Sequence, residues 1–340
     1  MDNQAPVKKK NLLSLQLPPD LMQPATKEER EYLLQMREST TYWKDAMRRF
    51  RKNKVAVTCA FVILFVLLFA WIGPFLMPYT YGQQIRGHER LSPMLKPYFH
   101  PFGTDKLGRD IMVRVMIGTR ISLAIGIVSS LIILLIGTTY GALAGYVGGW
   151  VDNVMMRIVE VLYSIPDVLV VIMLSISLKE PLQILFDRGA LRLFSSFGAS
   201  LLSIFITFAL LYWVGMARIV RGQILVLKNT EYVIAAKAMG AKSGRIIFRH
   251  MIPNCVGTII VTTMFQVPTA IFMESFLSFI GLGVSAPMAS LGSLVNDALD
   301  GFQSYPYRLL IPAFMIAIII LSLNQFGDGL RDALDPRLRD

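Results

Sequence analysis

Charge is scarce in this sequence. Asp, Glu, Lys and Arg make up 17% of its 340 residues, against roughly 25% in an ordinary soluble domain. Hydrophobic residues make up 54%, and the mean hydropathy is +0.52. Cysteine is scarcer still. Cys59 and Cys255 fall in or beside apolar runs and make no metal or redox spacing, so two free thiols are expected. His88, His100 and His250 are scattered and form no ligand set, and no metal is expected. No G-x-x-x-x-G-K-[ST] stretch occurs, so the chain encodes no phosphate cradle for ATP. Nor is there a Ser/His/Asp arrangement or a zinc spacing. These absences speak against an enzyme. The net charge of +11 suits nucleic acid or the basic segments of a membrane protein; the apolar composition favours the second and excludes a nucleic-acid partner.

What the chain has in quantity is long apolar runs. A bilayer core of about 30 Å takes about 20 apolar residues in a helix. Six runs meet that length: Val55–Met77, Ile121–Val151, about Arg157–Leu178, a stretch within Leu193–Ala217, Met251–Phe279 and Leu309–Phe326. The fold class is therefore an all-α integral membrane protein with six transmembrane helices. The first 54 residues carry twelve Lys or Arg, and no apolar run lies close enough to the start for a signal peptide. Residues 1–41 read as a flexible tail, with prolines and a Lys8-Lys9-Lys10 run. Over 42–54, Trp43, Ala46, Met47 and Phe50 share a helical face with Arg48, Arg49, Arg51 and Lys52 around it. That pattern suits an interfacial helix in contact with lipid; a solvated basic tail is the alternative. The first span covers 55–77, an outer loop 78–116, the core 117–330 with a polar loop over 221–254, and a C-terminal tail 331–340.

Basic residues orient the chain. With the N-terminus inside, inner segments hold 23 Lys and Arg and outer segments 10, which places both termini and the 221–254 loop in the cytoplasm. In the second span Gly137, Gly141, Gly145 and Gly149 recur every four residues and share a face that permits close helix contact. That face is either a seam that slides or static packing within the subunit. Acidic residues inside spans are functional candidates because burying them is costly; Glu274 is the foremost and Asp167 the second.

The most patterned polar stretch is Glu231–Asn254. Tyr232, Ala235, Ala236 and Met239 fall on one face of a short helix. Gly240 follows, where a helix ends readily because glycine takes positive φ without strain. Ser243 is placed to cap a second short helix through Ile246, Ile247 and Phe248, limited by Pro253. Ala235-Ala236, Gly240 and Pro253 resemble the "EAA" loop of ABC-importer permeases, although Ile234 stands where that family has Glu.

Three further stretches resemble the dipeptide/oligopeptide branch of that family: HPFGTDKLGRD at 100–110, ESFLSFIGLG at 274–283 and NQFGDGLRDALDPRLR at 324–339. WKDAMRRFRKNKVAV resembles its entry into the first span. The resemblance is to the second, C-type permease of a type I importer. It implies a different permease subunit as partner, two cytoplasmic ATPases that bind ATP and Mg, and an extracytoplasmic peptide-binding protein. In the polar loop it implies docking to an ATPase groove through Glu231, Tyr232, Ala235, Ala236, Met239 and Gly240. Glu274 or Asp167 would then attract a peptide's ammonium group, or Glu274 would pair with a neighbouring helix. Asp105, Arg109 and Asp110 would order the outer loop or touch the binding protein. Alternatives are a nickel or other small-solute importer of the same branch, a stand-alone secondary transporter and a membrane-embedded enzyme.

Overall fold

A computed structural model describes residues 42–189, 198–284 and 288–335. The expected tail 1–41, the start of the fourth run before Gly198 and residues 336–340 lie outside them. The chain divides into two units, residues 1–45 and 46–340; of the first, only the opening turn of helix α1 (Tyr42–Lys52) is described. Within the second unit Ala46 is buried, and Phe50 meets Phe326 edge-on at 5.4 Å, while Met47 stays exposed.

Six helical segments among the described residues are long and apolar enough to cross a membrane. The first is α2 (Lys54–Trp71), capped by the Asn53 side chain, which accepts the Ala56 N–H at 3.1 Å. A short helical turn, Gly73–Leu76, follows. The second, α3 (Ile111–Val147), is 37 residues long and begins ten residues before the expected span. Its charges find partners, so they do not have to lie in a loop. Arg120 donates to the Ala70 carbonyl at 2.9 and 3.1 Å and lies over the Trp71 ring, and Arg114 reaches Asp105. Asp110 caps α3 by accepting the Val113 N–H at 2.9 Å. The polar segment expected as the outer loop therefore ends at Asp110 rather than at 116.

The expected third span is two helices. α4 (Gly149–Ser164) stops at Ile165-Pro166, and α5 (Asp167–Asp187) starts afresh. The fourth is likewise divided: α6 (Gly198–Leu211) and α7 (Trp213–Leu227) meet at Tyr212. It runs ten residues past Ala217 because its arginines are neutralised. Arg221 donates two hydrogen bonds to Asp152, at 2.6 and 2.7 Å, and Arg218 lies 3.7 Å over the Tyr163 ring. α8 (Glu231–Ala238) stands alone, α9 (Val256–Phe279) is the α-helical part of the fifth span, α10 (Leu291–Leu299) is short, and α11 (Tyr307–Leu334) is the sixth.

The glycine face sets the tightest pairing, α3 against α7. A Cβ on Gly137 would fall 2.6 Å from Met216 Cβ, and one on Gly141 would fall 2.3 Å from the Ala217 carbonyl oxygen. On Gly145 it would lie 3.0 Å from the Arg221 oxygen. These three close a helix pair inside the subunit. Gly149 does not belong to the ladder: it opens α4 with φ +58, and a Cβ there would meet nothing within 4 Å. Around this pair, α9 packs on α3 and α11, α2 on α11, and α5 on α6.

Candidate functional site

The Glu231–Asn254 loop is built from a helix that is anchored on one side and open on the other. In α8 the inward positions are Val233 and Ala236, both buried against Ile246, Ile247 and Met251. This corrects the expected face. Ala236 points into the subunit's own core, because the stripe that packs is i, i+3 from Val233 and not the one through Tyr232. The open side carries Glu231, Tyr232, Ile234, Ala235 and Met239, with Ile234 55% and Met239 81% exposed. Gly240 ends the helix at φ +76, and its N–H donates to the Lys237 carbonyl at 2.9 Å. A Cβ at this position would meet nothing within 4 Å, so only the backbone conformation calls for glycine.

The second short helix differs from expectation. Lys242, not Ser243, sits at the N-cap, with no side-chain cap. Ser243–Arg245 runs without interruption into a π-helix, Ile246–Met251, then a 3₁₀ turn, Ile252–Cys255, and α9. Pro253 falls in the first turn of the 3₁₀ segment, where its missing N–H does no harm, and so does not stop the chain. The loop is thereby joined to the fifth span by an unbroken helical rod.

The two intramembrane carboxylates lie in opposite surroundings. Glu274 is fully buried and accepts from Ser122 Oγ at 2.9 Å and Ser278 Oγ at 2.7 Å. Ser278 Oγ also accepts the Val284 N–H and lies 3.1 Å from Ser290 Oγ; Ser122 Oγ accepts the Leu291 N–H at 3.3 Å. This hydroxyl cage ties the segment after α9 to α3 and α10. Glu274's partner on the neighbouring helix is a serine, in line with the packing alternative, and the carboxylate is fully buried. Asp167 instead lines a cleft of about 520 Å³ with Tyr163, Tyr212, Gln266 and Thr269. Its carboxylate accepts the Val168 N–H at 2.9 Å and the Tyr212 hydroxyl at 3.5 Å. A second cleft, about 630 Å³, is lined by Gln223, Thr258, Thr262 and Arg331, and Gln266 lines both. Tyr212 and Gln266 escaped the sequence reading. The available signals were Pro166 within one apolar run and an amide at Gln266 inside another.

The outer-loop candidates form a closed network. Asp105 accepts the N–H groups of Leu107 (2.8 Å) and Arg109 (3.0 Å), the Arg109 Nε at 2.6 Å, and Arg114. Burial opposes its ionisation, but the Arg109 N–H, the Arg114 guanidinium and the Leu107 N–H together hold its carboxyl below the ordinary value. Asp110 bonds His100 Nδ1 at 2.8 Å, and His100 Nε2 lies 3.0 Å from His88 Nδ1. Here burial outweighs the hydrogen bonds from His100 and Val113 and raises the carboxyl above the ordinary value. Tyr79 stacks on His100, and Tyr98 packs against His88 at a tilt of 46°. Asp105 and Asp110 are buried, which fits ordering of the loop; Arg109 is the more open of the three.

Six membrane-length helices, an exposed helix on a helical rod and a polar cleft at helix breaks define a multi-pass membrane permease. Residues 137–340 match the family model described as binding-protein-dependent transport system inner membrane component, and residues 41–97 match the N-terminal TM domain of oligopeptide transport permease C. The chain belongs to the family of binding-protein-dependent ABC-importer permeases, in its dipeptide/oligopeptide branch. It is 47% identical over 304 residues to the dipeptide transport system permease protein DppC of Bacillus subtilis, covering 89% of this chain and 88% of that one. It is 42% identical over 323 residues to the oligopeptide transport system permease protein OppC of the same organism, covering 95% and 99%. An inward-facing MetNI methionine ABC transporter structure is similar at TM-score 0.48 and 18% identity, covering 66% of this chain and 96% of that one.

Proposed function

We propose that this chain is one of two different permease subunits of a peptide importer, with both termini and the Glu231–Asn254 loop in the cytoplasm. Two ATPase subunits bind ATP and Mg and supply the hydrolysis, and an extracytoplasmic binding protein delivers the peptide. The substrates in the relatives' names, dipeptides and oligopeptides, favour a peptide over nickel or another small solute. The observation that carries the reading is α8. Val233 and Ala236 fix it to the core, while Ile234, Ala235 and Met239 are left exposed beside a tight turn. An apolar helix face held rigidly on the cytoplasmic side of a permease fits a groove on another protein, the helix-in-groove mode of recognition. The rod from Ser243 to Phe279 then carries the motion of that partner into the membrane.

The test uses the assembled transporter. Ile234→Asp with Met239→Asp puts charge on the exposed face without touching the core. The expected outcome is intact insertion and pairing of the permeases, with peptide-stimulated ATP hydrolysis and uptake lost together. Hydrolysis stimulated at the wild-type rate would remove this loop from the coupling path. Cysteines at Lys242 and Lys96, both exposed, should label from opposite sides of the membrane; labelling of both from outside overturns the orientation.

A further inference from the structure

The cleft around Asp167 coincides with two helix boundaries and a proline inside a third helix. α4 and α5 are separated at Ile165-Pro166, α6 and α7 meet at Tyr212, and Pro268 stands inside α9 between Gln266 and Thr269. Depth follows from register. Tyr212 is at the middle of the Gly198–Leu227 span, Gln266–Thr269 lie past the middle of Ser243–Phe279, and Asp167 opens Asp167–Asp187. The cleft that gathers them therefore lies within the spanning segments. Interrupted backbone at that depth is tolerated only where it is covered by protein or lines a water-filled cavity. A carboxylate at that depth does not face lipid without a large cost. Asp167, Tyr163 and Thr269 are exposed on this subunit, and Tyr212 and Gln266 are half-open. Glu274 shows the contrast: a carboxylate used for packing is closed in by serines.

The groups offered match a peptide's main chain and not any one side chain. The last carbonyls of α4 have no backbone partner within their helix; Val161's accepts the Ser164 hydroxyl at 2.8 Å, and the others can accept hydrogen bonds. Gln266 both donates and accepts, as a peptide group requires. Asp167 supplies the negative charge of the cleft lining. The rest of the wall, Leu162, Val170, Leu211 and Val214, is apolar and sets no charge requirement on a substrate side chain. The volume of about 520 Å³ lies within the usual range for small-ligand sites. Gln266 also lines the second cleft, where Thr262 and Thr258 follow at four-residue spacing on the same helix face. We propose that the two clefts form one transit lane for an extended peptide, in which Asp167 binds the free amino end and Gln266 binds main-chain amides. This rests on the importer reading above and adds a site to it.

The experiment is uptake by the whole transporter in proteoliposomes at saturating peptide-loaded binding protein, with one peptide carried both with a free amino end and N-acetylated. In Asp167→Asn, uptake of the free peptide relative to wild type should fall about tenfold further than that of the acetylated one, the loss of one charge-assisted bond. Gln266→Leu should lower both forms equally, and Gln266→Asn should recover part of the loss. A readout independent of turnover is the rate at which a hydrophilic thiol reagent labels Gln266→Cys, with the unsubstituted chain as background for Cys59 and Cys255. Transported peptide should slow it. Equal uptake ratios in Asp167→Asn together with labelling indifferent to peptide overturn the lane while leaving the importer intact. A variant that fails to assemble leaves the decision to the labelling. No peptide uptake by the wild-type transporter overturns the importer reading itself.

Discussion

Two polar segments outside the membrane-length helices, residues 78–110 and 228–242, place their side chains in opposite ways. The first turns its signature carboxylates, Asp105 and Asp110, inward, while Arg86, Glu89, Arg90, Lys96 and Lys106 stay exposed. Asp105 gathers two arginines and two backbone N–H groups, Asp110 holds His100, and His100 meets His88. The second leaves its side chains open: α8 is fixed by only Val233 and Ala236 among its own eight residues, and its other positions are exposed. A charged motif is therefore no measure of availability to a partner. The segment with more acidic and basic signature residues is the one that has internal partners for them, and the nearly neutral helix is the one left free to dock.

Breaking the closed network should have the largest effect. Asp105→Ala leaves Arg114 buried without its nearest carboxylate and is expected to cost about 3–5 kcal/mol, read as a drop in the unfolding temperature of the purified complex in detergent. The pH dependence has a definite sign. Asp105's carboxyl is held below its ordinary value in the folded state, so its contribution is complete above the ordinary carboxylate range and is lost as pH falls through the lowered value. Asp105→Asn should flatten that acid limb of the stability curve, and an unchanged limb would show that the network is not what Asp105 stabilises. The comparison sharpens at two neighbouring alanines in the open loop. Ala236→Trp forces an indole into a packed site and should destabilise the subunit by about 1–3 kcal/mol or more. Ala235→Trp, on the exposed side, should leave stability unchanged and reduce ATPase coupling. Equal stability losses would mean that the face is misassigned. The smallest change is Gly240→Val, expected to cost of order 1–2 kcal/mol because φ is +76. Gly240→Asn should recover most of it, since asparagine tolerates that region; if Asn is as poor as Val, the conformation is not the reason for glycine.

The spans were legible in the sequence because a charge-free run in a bilayer permits little else. Their ends were not, and for one reason: at several of them an arginine finds a partner that no local pattern announces. Arg120 reaches the end of the previous helix, fifty residues back, and Arg221 reaches Asp152, sixty-nine residues away. Both therefore remain helical where a charge count would stop the helix. The same limit applies at the sites. Glu274 and Asp167 look alike as isolated acids in apolar runs, but three serines from three separate stretches enclose the first and none encloses the second. Ala235 and Ala236 are adjacent letters of one motif, and only the packing of α8 on Ile246 and Met251 decides which of them faces outward. Gly137, Gly141 and Gly145 could be read directly, since close approach leaves room for no other residue; which helix they meet could not.

The rod between α8 and α9 holds one turn that is too wide and one that is too narrow. The π segment bonds five residues apart and the 3₁₀ segment three, on either side of the four of an α-helix. Adjacent over- and under-wound turns act as a phase adjuster: winding handed from one to the other rotates everything beyond them about the helix axis. One residue of winding is about 100° of rotation. Beyond the adjuster lie Thr258, Thr262 and Gln266, and a turn of that size would carry Gln266 off the wall of the Asp167 cleft and bring Phe265 or Val267 to it. A push on the loop would then reach the spanning segments as torque, exchanging a polar face for an apolar one with little change in the rod's position.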